Sequence, residues 1–289
     1  MSSKNEKIYQ AVTDRIIAAL EAGTVPWHKP WTSRGGHVNF IRKTPYRGIN
    51  QWLLSLTSME RGYSSPYWLT YKQAQSKGGQ VRGGEKGTMI VFWKPLLVDD
   101  RDNPGEKKQI WMFRSFTVFN VEQCDGIEIP VVEDANSIDP IESADRVYAD
   151  YVNPPSLRHG GDRAFYRRSE DHVQMPNRDD FNTAEDYYST QFHELVHSTM
   201  HEDRLNRPTA DNWGDEVYAK EELVAEMGAG MICGVIGITL APKHEDNEAA
   251  YIASWLKKLN SDPKLVVQAA SKAQQAADYI LGDDNGAGA

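Results

Sequence analysis

The sequence predicts an α+β chain of two domains, and three observations carry that expectation. Helix-period and strand-period segments alternate along the chain. Residues 1–125 hold 18 Lys and Arg against 11 Asp and Glu, a balance of +7, whereas residues 126–289 hold 14 against 30, a balance of −16, within an overall −9. A sign change of that size marks two regions with different partners. Tryptophan usage shifts at the same place: Trp27, Trp31, Trp52, Trp68, Trp93 and Trp111 precede it, and Trp213 and Trp255 follow. The 289 residues suffice for two cores of ordinary size. The expected division is a small α+β domain over 1–126, a linker at 127–140, a second domain over 141–282 and a disordered tail at 283–289.

Residues 4–22 read as an amphipathic helix, with Ile8, Val12, Ile16 and Leu20 on one face and Gly23 as its stop. Pro26 and Pro30 exclude its continuation and set an extended path that displays Trp27 and Trp31. Helices are expected near 48–60 and 70–76, after which Gly78, Gly79, Gly83, Gly84 and Gly87 punctuate short strands. Alternation over 89–98 and 109–120 predicts two strands joined by a hairpin loop at 99–108. Trp52, Trp93 and Trp111 are expected in the core. Basic residues interleaved with exposed aromatics suit single-stranded nucleic acid, because cations follow phosphates while rings stack on unpaired bases at about 1–3 kcal/mol each. The candidate contacts are Trp27, Lys29, Trp31, Arg34, Arg42, Lys43, Tyr46, Arg47, Arg82 and Lys86.

In the second half, 141–152 reads as a helix, followed by strand-like pieces near Arg158, 164–168 and 172–175. The last is a candidate sheet edge for pairing an extended peptide. A helix over 184–205 carries His193-Glu194-Leu195-Val196-His197. Four residues apart, the two imidazoles stack on one face and can share one metal ion. Glu194, one step round, is the candidate general base for a water that the metal acidifies. This is the H-E-x-x-H pattern of zincins, and hydrolysis of an amide is the chemistry it points to.

A third ligand must come from elsewhere. A second helix, 215–235, carries Glu222 and Glu226 on one face. The spacing resembles thermolysin-like enzymes, in which a Glu one helix on is the third ligand and an acid four residues later holds the first ligand histidine. That likeness implies Glu222 as ligand and Glu226 as the group that fixes a tautomer, with the exchange of the two roles as the alternative. His201 is a rival, although eight residues of continuous helix rise about 12 Å, too far for one ion to bridge unless the helix ends near Thr199. Helices at 245–259 and 262–281 complete the order. No apolar run reaches membrane-spanning length and the first residues lack an apolar signal stretch, so the expectation is a soluble, cytoplasmic protein with no membrane partner. Cys124 and Cys233, far apart, are expected as buried thiols.

Several short motifs then occur in one order: Pro26-Trp27 with Pro30-Trp31, Tyr46-Arg47-Gly48-Ile49-Asn50, Trp68-Leu69-Thr70, Gly78-Gly79-Gln80-Val81-Arg82, Phe119-Asn120-Val121-Glu122-Gln123, Phe192 with the histidine motif, Arg204-Leu205, and Glu221-Glu222-Leu223-Val224-Ala225-Glu226. Over nearly its whole length the chain resembles the plasmid-borne ArdC-type antirestriction proteins. The resemblance implies an N-terminal domain that binds single-stranded DNA, a C-terminal zincin-like metallopeptidase domain, and protection of entering conjugative DNA from host restriction. Zinc is the implied cofactor, with Mn2+ or Co2+ as alternatives, and restriction-enzyme subunits or other DNA-bound proteins are candidate substrates. Beside that peptidase reading stands a second, in which the protein coats DNA and its metal domain is structural. The likeness departs at Ser198-Thr199-Met200-His201, which lacks an aromatic after the second motif histidine and a glycine before the last.

Overall fold

A computed structural model describes residues 3–28, 36–99, 103, 105–130, 139–208, 216–238 and 248–283. The expected contacts Lys29, Trp31 and Arg34, most of the expected linker and the tail beyond residue 283 lie outside the described residues.

Helix α1 (Ser3–Glu21) buries Ile8, Val12, Ile16 and Leu20, as its periodicity demands. Gly23, at φ 73°, closes it in the left-handed conformation that a residue without Cβ adopts at little cost. The extended path expected next is replaced by a 3-10 turn, Pro26–His28. Trp27 is not displayed but wholly buried, with its Nε1 donating to the Tyr251 hydroxyl at 2.9 Å and its ring edge-on to Trp255. Burying roughly 150–250 Å² of aromatic surface outweighs leaving it on a loop wherever a slot is available.

Strand β1 (Val38–Asn39), helix α2 (Ile49–Arg61), strand β2 (Tyr67–Leu69), helix α3 (Tyr71–Ser76) and strand β3 (Gln80–Val81) follow. Strands β4 (Thr88–Asp99) and β5 (Lys107–Asn120) form the predicted hairpin, in unbroken register from Thr88↔Val118 to Asp99↔Lys107, and β6 (Cys124–Asp125) pairs with β3. The main sheet runs β1-β2-β5-β4, which leaves β4 at an edge. Asn50, at the start of α2, plugs that edge: its amide donates to the Val91 carbonyl at 2.7 Å and accepts from the Val91 N–H at 2.8 Å. Trp52 is buried as expected, but Trp93 is 40% exposed. Its face of the hairpin is the covered one, where Tyr9, Phe113 and Trp93 stack in a row, and Trp93 is the outer ring of that row. The Trp111 side chain lies outside what is described.

Helix α4 (Pro140–Asp150) starts at Asp139, whose carboxylate caps the Ile141 N–H. Strands β7 (Ser156–His159), β8 (Phe165–Arg167) and β9 (His172–Met175) form a sheet of order β7-β9-β8. The stretch 172–175 is therefore central, with β7 parallel on one side and β8 antiparallel on the other, and cannot be the edge expected for it. An added extended chain has to pair at β7 or β8. Four helices follow among the described residues: α5 (Ala184–Ser198), α6 (Glu216–Ile236), α7 (Glu248–Ser261) and α8 (Leu265–Leu281). Helix α5 stops well short of residue 205. Carbonyls of its last turn find guanidinium donors, Arg204 Nε on Ser198 at 2.8 Å and Arg207 Nη2 on Val196 at 3.0 Å, so ending the helix leaves these two groups satisfied.

One hydrophobic core runs through both halves, joining Trp27, Trp52, Val91 and Phe113 to Leu223, Met227, Ile232, Val266 and Ala273. Helix α8 packs against α1, α2, α4, α5, α6 and α7, and its buried alanines, Ala269, Ala270, Ala273, Ala276 and Ala277, permit those close approaches. The Tyr46-to-Asn50 motif docks here, with Arg47 paired to Asp278 and the Gly48 N–H donating to Gln274 at 2.8 Å. Both cysteines are buried and free. Among the described residues no helix is long and apolar enough to cross a membrane. A tight seam between the two halves is at Gly230 of α6, where a Cβ would stand 2.6 Å from the Trp27 carbonyl oxygen and 3.0 Å from the Trp52 ring. Gly230→Ala should therefore destabilise the whole chain by about 1–3 kcal/mol through overpacking, read as a lower melting temperature. An unchanged melting temperature would show that the seam can relax.

Candidate metal centre

Helix α5 owes its position to a Thr183 cap at its N-terminus and to Tyr188, Phe192, Leu195 and Val196, which are buried against the core. That orientation turns His193 and His197 towards α6. Their Nε2 atoms converge to 3.1 Å, and Glu222 reaches across with Oε2 3.6 Å from His193 Nε2 and Oε1 3.4 Å from His197 Nε2. Three ligands about 2.0–2.2 Å from a tetrahedral ion stand roughly 3.3–3.5 Å from one another, so the triangle has the size a divalent metal requires. Among the described residues, His193, His197 and Glu222 form the group able to hold one.

The surroundings fit a cation as well. Buried His197 Nδ1 has no hydrogen bond, but Glu221 Oε1 stands 3.7 Å from it. A proton held on that side leaves the Nε2 lone pair for a metal. Glu221 is in turn gripped by buried Arg207, with Nε 3.1 Å from Oε2 and Nη2 2.5 Å from Oε1. Burial opposes a charge on His197, but the Glu221 and Glu222 carboxylates, with Glu194 nearby, outweigh it and push its pKa up to about 10. Burial likewise opposes ionisation of Glu222, yet the two histidines hold its carboxyl well below the usual range. A site that favours positive charge this strongly is one in which a divalent ion can replace the protons.

Glu194 is 8% exposed, one step round α5 from His193. Tyr218, in the first turn of α6, is pushed up to about 12 by burial and by the Glu222 and Glu194 charges, so its hydroxyl stays protonated at neutral pH. Glu226, the carboxylate expected behind the first ligand histidine, lies with Oε2 3.3 Å from His28 Nε2, and the His28 ring stacks on Tyr251. Behind the second ligand histidine stands Glu221. His201 is outside the ligand group although α5 ends at Ser198, the condition under which it could have served; its Nδ1 lies 3.6 Å from Asp203 instead. Sequence reasoning passed over Glu221, Arg207, Tyr218 and His28. The Glu221-Glu222 doublet held a signal for the first, since adjacent helical residues diverge by about 100° and can meet a histidine from two sides.

The expected DNA contacts are scattered. Trp27 is buried, and Tyr46 packs beneath Trp68 in a small core. Arg47 is paired with Asp278, a buried carboxylate that needs a partner. Arg82 is held by Glu85 and the Glu122 carbonyl. Lys43 lies over the Phe40 and Tyr67 rings, while Arg42 and Lys86 are exposed. The described members of the set do not gather around Trp27, which is itself buried.

The fold and the site together define a chain of two family regions, the second of the zincin-like metallopeptidase type. Residues 143–272 match the family described as zincin-like metallopeptidase, and residues 6–119 match the N-terminal domain of anti-restriction factor ArdC. The chain belongs to the ArdC antirestriction family. Crystal structures of the antirestriction ArdC protein from the R388 plasmid superpose with TM-scores of 0.75 (metal-free, 39% identity, 94% of this chain and 96% of that one) and 0.76 (Mn(II)-bound, 38% identity, 95% and 97%). The chain is also 38% identical to the uncharacterized protein y4eC of Sinorhizobium fredii, over 94% of this chain and 91% of that protein. It is 38% identical to a DNA primase TraC of Escherichia coli over 97% of its own length, but spans only 28% of that larger protein.

Removing Glu222 should abolish stoichiometric divalent-metal binding in calorimetric titration, and Glu226→Ala should retain it. Glu221→Ala should weaken it by about 10- to 100-fold, the usual effect of losing a group that orients a ligand. The reverse pattern for Glu222 and Glu226 would exchange their roles.

Proposed function

We propose that this chain binds single-stranded DNA through its N-terminal domain and acts there as a zinc-dependent peptidase, protecting entering DNA from restriction. The observation that carries the catalytic part is the ligand triangle of His193, His197 and Glu222 with buried Glu194 beside it on the same helix. Zinc follows from the two-nitrogen, one-carboxylate donor set, although manganese is a ready substitute, as the Mn(II)-bound relative illustrates. When bound, the ion supplies Lewis acidity towards a water and a carbonyl oxygen.

The chain's own residues do the rest. Glu194, one step round α5 from His193, accepts the proton of the attacking water and delivers it to the leaving amide nitrogen. Glu221, clamped by Arg207, holds the His197 ring in one orientation. Tyr218 keeps its hydroxyl proton and lies in the field of Glu222, where it can donate to a developing oxyanion. DNA would not occupy this cleft: the half of the chain that contains it carries −16, and phosphates would be repelled. The +7 half would instead hold the strand, raising the local concentration of DNA-bound proteins near the metal.

The deciding experiment uses full-length Glu194→Ala. It should keep its metal stoichiometry and its affinity for oligo-dT, lose peptide hydrolysis by about 10²- to 10⁴-fold, and protect incoming DNA poorly in a restriction-proficient host. Full protection by this variant would make DNA coating the working mechanism and remove the peptidase from that role.

A further inference from the structure

Among the described candidates for DNA contact, Trp27, Tyr46, Arg47 and Arg82 are engaged in holding the fold, and another surface of the same half offers rings and cations that are not. We propose that the DNA-binding surface is the outward face of the β4–β5 hairpin, where Phe92 and Phe116 stack unpaired bases while Arg114 and Lys94 meet the phosphates. This inference rests on the reading that the chain binds single-stranded DNA, and it assigns that activity a place.

The register determines which residues share the face. Phe92 is directly opposite Arg114, Ile90 opposite Phe116 and Lys94 opposite Met112, and side chains two apart along a strand point the same way. At the base of this face Ile90 and Val118 are buried with Tyr46, Leu54 and Trp68. Beyond them the cover stops. Phe92 is 45% exposed and Phe116 46%, with ring centroids 6.0 Å apart at 83°, so each ring keeps a surface open to solvent. The opposite face is unavailable, because Val91 and Phe113 are buried in the main core and Tyr9 of α1 stacks on Phe113.

Exposed phenylalanines in mid-strand need a reason, and the charges beside them supply one. From Thr88 to Val98 and from Lys108 to Val118 the charged residues on this face are Lys94, Lys108 and Arg114, all cations. Among the described residues neither Lys94 nor Arg114 meets a carboxylate; the Arg114 Nε lies 2.7 Å from the Met112 sulfur. Arg47 and Arg82 differ in this respect, being paired with acids. Aromatic faces flanked by uncompensated cations on a sheet complement a strand with free bases and a phosphate backbone. A duplex hides its base faces, and an acid-free surface of this kind would repel a second copy of itself.

The test is fluorescence anisotropy of labelled oligo-dT with the full-length protein. Phe92→Ala and Phe116→Ala should each weaken binding roughly fivefold to a hundredfold, the equivalent of one lost base stack, and Phe92→Tyr and Phe116→Tyr should restore it. Arg114→Ala should reduce the dependence of log affinity on log salt by about 0.7, one phosphate contact on a single strand. Melting temperature and metal stoichiometry should match wild type throughout, which separates lost contacts from lost fold. Wild-type affinity in the double alanine variant would overturn the assignment while leaving single-strand binding intact. Absence of binding by the wild-type protein would overturn both. Wild-type affinity in the alanine variants, together with a dimer-to-monomer change in sedimentation, would make the face an interface between copies and so also overturn it.

Discussion

The metal centre depends on how closely α6 approaches α5. At Gly228 a Cβ would lie 2.8 Å from a Val196 methyl carbon, so any side chain there would push the helices apart. Six residues earlier on α6, Glu222 has to come within 3.6 Å of His193 and 3.4 Å of His197. Helix separation and ligand distance are the same variable seen at two heights. The Arg207–Glu221 pair fixes it from the side, because Arg207 also donates to the Val196 carbonyl and thereby ties the end of α5 to the start of α6. Such a buried pair adds little net stability when whole, yet removing one partner typically costs about 3–5 kcal/mol. Its contribution is positional.

The same helix meets the N-terminal half two residues further on. Gly228 faces α5 and Gly230 faces Trp27 and Trp52, so α6 is pressed from both sides. His28, next to Trp27, reaches Glu226 one turn beyond the ligand Glu222. The N-terminal segment is thus anchored a single helical turn from the metal centre. The hairpin face with Phe92 and Phe116 belongs to the same half and borders a cleft of about 190 Å³ walled by Arg47, Trp93, Gln274 and Asp278, where the two halves meet again.

What could be read from the sequence is what depends on near neighbours along the chain. The α1 stripe, the hairpin, the start of α5 though not its end, and the His193–His197 pair all follow from periods of 2 or 3.6 residues. What could not be read depends on distant partners. Trp27 is buried because Tyr251 waits 224 positions away, and Arg47 is neutralised by Asp278, 231 positions away. A basic, aromatic segment looks the same in sequence whether its partner is phosphate or a buried carboxylate. The central place of β9 was hidden for a related reason: four residues of strand do not reveal how many neighbours they have. Trp93 shows a third limit, since alternation gives its face correctly but not how far α1 extends to cover it.

The continuous core across the two family regions also bears on how such a gene can be rearranged. A chain encoding either half alone would present Trp27, Trp52 and the alanine face of α8 to water, an apolar seam of the kind that drives aggregation. Recombination that preserves a soluble product therefore has to move both halves as one block. In the larger primase relative the matching stretch takes in 97% of this chain, so both family regions occur there side by side, as the shared core requires of them here.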